Sequence, residues 1–287
     1  MANKNNEFIL WLLVAASIVL SAIGAMPFAA GFAGSLSLVG MAARLLFACI
    51  HGTQRLGWRK FGMIFAITCV VSWCYESLSI ATGFPFGNYV YTEELGLKLG
   101  TVPLMIMPDY FGVCYLAWVL AHVLLDKFDH QIDSRSLFSI PVISAFIMVM
   151  WDLSIDPSSS TVKHEWIWQD GGSYFGVPFS NFLGWFLCVY TVFQFWAIYL
   201  IRSKQLESCP LDGYKSSWYL PIFLYGSLFL QPILAAALAV NGTVTDASSQ
   251  IWPLKVLYES LGLVSLFTMF FVICLAFFKV QGNSNLR

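Results

Sequence analysis

The chain has 287 residues, 58% of them hydrophobic and only 11% charged, with a net charge of −1 and a mean hydropathy of +0.72. Composition this apolar argues against a water-soluble globule and calls for a bilayer. Without a long basic tract there is nothing to neutralise phosphates, so nucleic acid is not expected as a partner. The seven cysteines lie mostly in apolar runs and include no C-x-x-C pair, which argues against a disulfide framework or a zinc ribbon.

Apolar windows near the ~20 residues that cross a hydrocarbon core fall at 8–25, 27–50, 61–81, 109–128, 136–156, 179–201, 217–240 and 251–279. The sequence therefore predicts an all-α integral membrane protein, with a single transmembrane domain over 1–287 built as a bundle of about eight helices. The first window follows Lys4 and ends in small residues near Ala25, a pattern shared with signal peptides. Because further spans follow, it is expected to remain as the first helix.

An even number of crossings puts both termini on one side. Lys4, Arg55, Arg59, Lys60, Lys127, Arg135, Arg202, Lys204, Lys215, Lys279 and Arg287 fall there, against Lys98, Lys163 and Lys255 opposite, with Arg44 inside the second helix. Cationic loops stay on the cytoplasmic side, so cytoplasmic termini in a bacterial inner membrane are expected. The segments 82–108 and 157–178 then face outward, and both are rich in Gly, Pro, Trp and Tyr. They read as ordered caps over a cavity, or else as an ordinary aromatic belt. The tetrapeptide YESL occurs at 75–78 and again at 258–261, too short an echo to establish an inverted repeat.

Four acids fall at similar depth: Glu76 in the third span, Asp152 and Asp156 in the fifth, and Glu259 in the eighth. A carboxylate at a helix centre costs about 2.5–3.5 kcal/mol, so each needs a partner or a task. Asp152 and Asp156 are spaced i,i+4 and share a face if the helix persists; Pro157 is expected to end it at Asp156. Glu76 and Asp152 approach C-terminal helix ends, where the dipole opposes negative charge, whereas Glu259 is near an N-terminal end, one turn after Lys255. Such a group can hold a proton donor beside an ionised partner, as general acid–base chemistry requires. The alternative is that the acids only bridge helices, through Lys255, Tyr75, Tyr258 or Asn181. Arg44 and Gln231 read equally as packing anchors, and Asp109 as a helix-initiating acid.

His51, His122, His130 and His164 form neither H-x-x-H-H nor H-E-x-x-H, so no metal centre is expected. G-x-G-x-x-G, P-loop and G-x-S-x-G motifs are absent as well, and no cofactor is expected. What remains is chemistry that acids and water perform on a lipid-dissolved molecule. Protonating a trisubstituted alkene gives a tertiary cation that aromatic faces stabilise, which suits hydration or cyclisation of an isoprenoid.

Two blocks carry a resemblance. The first is Glu76, Thr82-Gly83, Pro85-Phe86-Gly87, Tyr89, Tyr91, Leu95-Gly96 and Val102-Pro103. The second is Asp152-Leu153, Asp156-Pro157, Trp166, Trp168, Gly172, Tyr174, Gly176-Val177-Pro178, Asn181-Phe182 and Gly184-Trp185. Over roughly residues 70–186 the chain resembles the carotenoid biosynthesis membrane-protein family, which includes bacterial carotenoid 1,2-hydratases and haloarchaeal bisanhydrobacterioruberin hydratases. One departure is Met107-Pro108-Asp109-Tyr110, where an apolar run into the next helix is expected.

The resemblance implies addition of water to the terminal double bond of an acyclic carotene end, of lycopene or γ-carotene type, giving a tertiary alcohol without a redox cofactor. On that reading Asp152 or Glu76 protonates the alkene and Asp156 or Glu259 handles the water. Asn181, Tyr89 and Tyr174 would organise the polar end, and Trp73, Trp151 and Trp185 would line the cationic centre. Expected partners are a carotenoid drawn from the lipid phase and membrane lipids, with a homo-oligomer or other carotenoid enzymes left open. The rival readings are a proton-coupled transporter or lipid carrier, and a non-catalytic scaffold for carotenoid enzymes.

Overall fold

The computed structural model describes residues 4–26, 31, 33–129, 131–203 and 209–287. Lys204, His130 and the first residues of the second predicted span lie outside them. The helices are α1 (Lys4–Gly24), α2 (Ala33–Thr82), α3 (Ile106–Leu124), α4 (Ser136–Pro157), α5 (Phe179–Arg202), α6 (Lys215–Leu238), α7 (Leu254–Val264) and α8 (Phe270–Gly282). A π-helical turn, Ser265–Met269, joins α7 to α8 into one span.

Among the described residues seven helical runs are long and apolar enough to cross a membrane, and one of them, α2, has the length for two crossings. At ~1.5 Å per residue, the 50 residues of α2 would extend about 75 Å, more than twice a hydrocarbon core of about 30 Å. Gly57, at φ 74° and ψ 155°, breaks it into limbs 33–56 and 58–82. The limbs fold back on each other. Arg44 of the first bonds Asp109 and Glu76 of the second bonds Tyr110, both at the start of α3; nearer the turn, His51 and Phe61 both pack on Tyr115. The predicted second and third helices are thus the two limbs of one hairpin.

The central rod is α3, in which every residue from Tyr110 to Val123 is buried. It packs against both limbs of α2 and against α4, α6 and α8. The loops then sort to two ends of the bundle. At one end Arg55 lies over the Trp218 ring at 3.8 Å and bonds Ser217, while Lys279 pairs with Asp126. At the other end, the lid end, the loops fold into two-stranded pieces: β1 (Tyr89–Tyr91) with β4 (Trp166–Trp168), β2 (Lys98–Leu99) with β3 (Val102–Pro103), and β5 (Thr243–Thr245) with β6 (Ile251–Pro253).

Pro157 does not halt the helical run at Asp156. Asp156 and Pro157 remain within the helix, and a π-helical turn, Ser158–Val162, follows. Proline has no N–H, which leaves the carbonyl four residues earlier without its helical donor. That carbonyl belongs to Leu153, and the Tyr174 hydroxyl donates to it at 3.1 Å. A side chain from the following loop thus replaces the missing amide, and Asp152 and Asp156 stay on one face.

Gly184 positions the other loop: a Cβ there would lie 2.7 Å from the Pro85 carbonyl oxygen, so only glycine lets segment 83–88 seat directly on α5. Ser180 holds it further, donating to the Phe86 carbonyl at 2.8 Å.

At Gly57 a side chain meets no neighbour within 4 Å, so the cost of substitution is purely conformational. Gly57→Val is expected to destabilise the protein by about 1–3 kcal/mol, read as a lower thermal midpoint in detergent.

Candidate active site

Strands β1 and β4 pair antiparallel with Tyr89 opposite Trp168, Val90 opposite Ile167 and Tyr91 opposite Trp166. Successive strand residues point to opposite faces, so the four aromatic side chains share the face toward the bundle, while Val90, 40% exposed, faces away. The two loops singled out by composition are therefore one lid.

Beneath the lid is a cavity of about 570 Å³, within the usual range for small-molecule sites. Glu76, Asp152 and Asp156 all line it and all are at most 2% exposed. Three phenols donate to Glu76: Tyr89 and Tyr91 (2.9 Å) from the lid, and Tyr110 from α3. Asp156 Oδ1 accepts the indole N–H of Trp166 at 2.9 Å and of Trp168 at 3.2 Å. The Asn181 amide nitrogen bridges the two aspartates, donating to Asp156 Oδ2 at 2.7 Å and to Asp152 Oδ2 at 3.1 Å. Asp152 Oδ1 has no partner among the described residues.

The lid tyrosines are held as donors. Burial, and then the neighbouring Glu76, push the Tyr89 and Tyr91 hydroxyls well above the usual phenol range. Burial, followed by the two aspartates, likewise pushes Tyr174 up to about 12.

The aromatic wall comprises Trp151, Trp185, Phe86 and the lid rings. Trp185 stacks on Tyr110 with centroids 4.3 Å apart and planes 15° apart. A second arm runs between α1, the first limb of α2, α6 and α7, lined by Leu20, Met41, Leu228, Pro232, Ala235 and Leu261. Arg44, Asp109 and Gln231 also reach the cavity, and Arg44 pairs with Asp109 at 2.5 Å. Among the described residues no group of His, Cys, Asp and Glu side chains has the arrangement to hold a metal ion.

Of the ten residues singled out from sequence, Glu76, Tyr89, Trp151, Asp152, Asp156, Asn181 and Trp185 meet at the cavity, and three do not. Glu259 turns outward: its carboxylate is 51% exposed and is 3.8 Å from Lys255 one helical turn away. An acid whose position favours pairing along its own helix has no need of the interior. Trp73 bonds the Leu99 carbonyl at 3.1 Å and pins the β2–β3 hairpin. Tyr174 stays outside the lining because its hydroxyl serves α4.

Tyr91, Tyr110, Trp166 and Trp168 contact the carboxyl groups directly but were not singled out as site residues. The alternation Tyr-Val-Tyr and Trp-Ile-Trp was the signal for three of them, being the period of a strand with one buried face. Tyr110 belongs to the departure at 107–110, which supplies the site with the Glu76 donor and the Arg44 partner.

The family described as carotenoid biosynthesis protein matches residues 32–249, and the chain belongs to it. The matched span contains both limbs of α2, the lid and Asn181, and stops before Glu259. The bisanhydrobacterioruberin hydratase of Haloarcula japonica is 27% identical over 203 residues, 69% of this chain and 67% of that protein. No solved structure matches the chain significantly. The fold and the site thus belong to a membrane protein of carotenoid biosynthesis.

Two outcomes are expected. Tyr174→Phe leaves the Leu153 carbonyl unpaired and should cost about 1–3 kcal/mol of stability. In a Pro157→Ala background, where an amide N–H is restored, the same change should cost much less, as a double-mutant cycle on thermal midpoints measures. Because the folded Tyr89 and Tyr91 phenols resist ionisation, their contribution is intact below the unfolded phenol value of about 10 and lost as pH rises past it. Thermal midpoints should be level between about pH 7 and 9 and fall above about 10, less steeply in Tyr89→Phe/Tyr91→Phe.

Proposed function

We propose that the protein hydrates the terminal double bond of an acyclic carotenoid end group without a cofactor, giving a tertiary alcohol. The observation that carries this reading is the bridged pair of aspartates with unequal hydrogen bonding. Indole and amide N–H groups donate and cannot accept, so the donors on both oxygens of Asp156 suit a carboxylate. Asp152 receives one donor and keeps Oδ1 free for a proton.

Asp152 is accordingly the acid. It transfers its proton to the less substituted carbon of the alkene, and the positive charge develops on the tertiary carbon. The faces of Trp151 and Trp185 stabilise that charge, and fixed carboxylate charge in a dry site does so at longer range. Water adds to the cation and gives its proton to Asp156. A proton passing from Asp156 back to Asp152, its neighbour one turn away on α4, restores the starting state. The net change is one water added per double bond, with no electron transferred. Glu76, saturated by three phenols, acts as a fixed negative charge that also holds the lid down.

The apolar arm beyond Leu20 and Ala235 suits the polyene, so the substrate is drawn from the lipid phase. The excess of Lys and Arg at the end opposite the lid supports cytoplasmic termini and an outward lid in a bacterial inner membrane.

Expression in a lycopene-accumulating host is expected to yield a product heavier by one water, its oxygen drawn from labelled water and not from dioxygen. Asp152→Asn should lower product at least about 100-fold while the protein remains folded in the membrane. An undiminished Asp152→Asn enzyme would remove Asp152 from the mechanism. Solute movement across liposomes with carotenes unchanged would favour a transporter instead.

A further inference from the structure

A hydratase buried in a membrane must admit water as well as hydrocarbon, and α4 offers a path. Asp152, Asp156, Ser159 and Lys163 are spaced by four, three and four residues and all line the cavity, forming a polar stripe from the carboxyl groups to the lid end. Four consecutive hydroxyl residues, 158–161, occupy the π-helical turn in this stripe. Ser158 donates to the Ile155 carbonyl at 2.8 Å, Ser160 to the Asp156 carbonyl at 2.8 Å, and Thr161 to the Phe175 carbonyl at 2.6 Å. Ser159 alone of the four makes no side-chain hydrogen bond among the described residues, although it is only 6% exposed and lines the cavity.

A buried hydroxyl on a cavity wall without a protein partner is where an ordered water belongs. Its surroundings are held in place: the Ser159 carbonyl accepts the Glu165 N–H at 3.0 Å, and Lys163 N–H reaches back five residues to Ser158 at 3.0 Å. Lys163 and Glu165, both half-buried, form the mouth. Elsewhere on the cavity wall Arg44 is tied to Asp109, and the Ser17 hydroxyl is sealed from solvent.

We propose that this stripe is the route by which water enters from the lid end, and that Ser159 is the positioning residue that passes it to Asp156. The inference rests on the hydration reading for the fate of the water; the route itself is testable without turnover. Two single replacements, Ser159→Cys and Ser21→Cys on the α1 side of the same cavity, are exposed in the full-length protein to a membrane-impermeant, charged methanethiosulfonate. Wild type, with its seven cysteines, sets the background.

Ser159→Cys is expected to label at least about tenfold faster than Ser21→Cys, and to slow when Lys163→Trp is added to plug the mouth. Equal labelling at the two positions, or faster labelling at Ser21→Cys, overturns the route whether or not carotenes are hydrated. Labelling as expected with no hydrated product sinks the hydration reading and leaves the route standing. For the positioning role, Ser159→Val should lower kcat about tenfold with KM for the carotene unchanged, and Ser159→Thr should restore it. A rise in KM at unchanged kcat would assign Ser159 to hydrocarbon binding and overturn the role.

Discussion

Three carboxyl groups within a membrane bundle are tolerable only if each is met by donors, and here most donors come from outside the membrane-spanning helices. The pairing of β1 with β4 brings two tyrosines and two tryptophans down onto Glu76 and Asp156 in one register. Because side chains alternate along a strand, a slip of one residue in either strand would turn that strand's aromatic pair outward. With β1 slipped, Glu76 would keep Tyr110 and lose both lid phenols; with β4 slipped, Asp156 would keep the Asn181 amide and lose both indoles. The acids and the lid therefore specify each other: the lid has its register because the acids need donors, and the acids persist because the lid supplies them.

The same contacts divide the chemistry. Phenols can donate or accept, whereas indoles only donate, so the lid places its adaptable donors on Glu76 and its fixed donors on Asp156. Asp152, deeper on α4 and served among the described residues by Asn181 alone, is left the most free of the three. A helix of uniform geometry would place Asp152 and Asp156 similarly, but their partners make them unequal. The π-helical turn beyond Pro157 carries this inequality toward the lid end, where the Ser159 hydroxyl makes no hydrogen bond among the described residues.

The helices were largely legible because a bilayer imposes a length and a composition on anything that crosses it. Among the described residues the eight apolar windows fall on seven helical runs, two of the windows being joined in α2 through Gly57. Pro157 misled because the rule that proline ends a helix is local, and Tyr174 compensates from seventeen residues away. Glu259 misled because depth along a helix is readable from sequence but azimuth is weakly constrained when nearly every face is apolar. Its outward face and its pairing with Lys255 emerged only with the packing of α7.

By itself the sequence determined an all-helical membrane bundle, the depth of its acids and the aromatic character of two loops, since each follows from hydropathy, spacing and residue type along one segment. Tertiary structure alone decided that the two loops are one lid, that Tyr110 and Asn181 complete the set of donors, and that Glu259, Trp73 and Tyr174 stand apart from the cavity. The reason is physical. Burial of a charge within a bilayer demands partners, but partners for Glu76 come from residues 89, 91 and 110, and those for Asp156 from 166, 168 and 181. Local spacing cannot choose among such distant donors; the packing of α3 and α5 and the cross-strand register of the lid do.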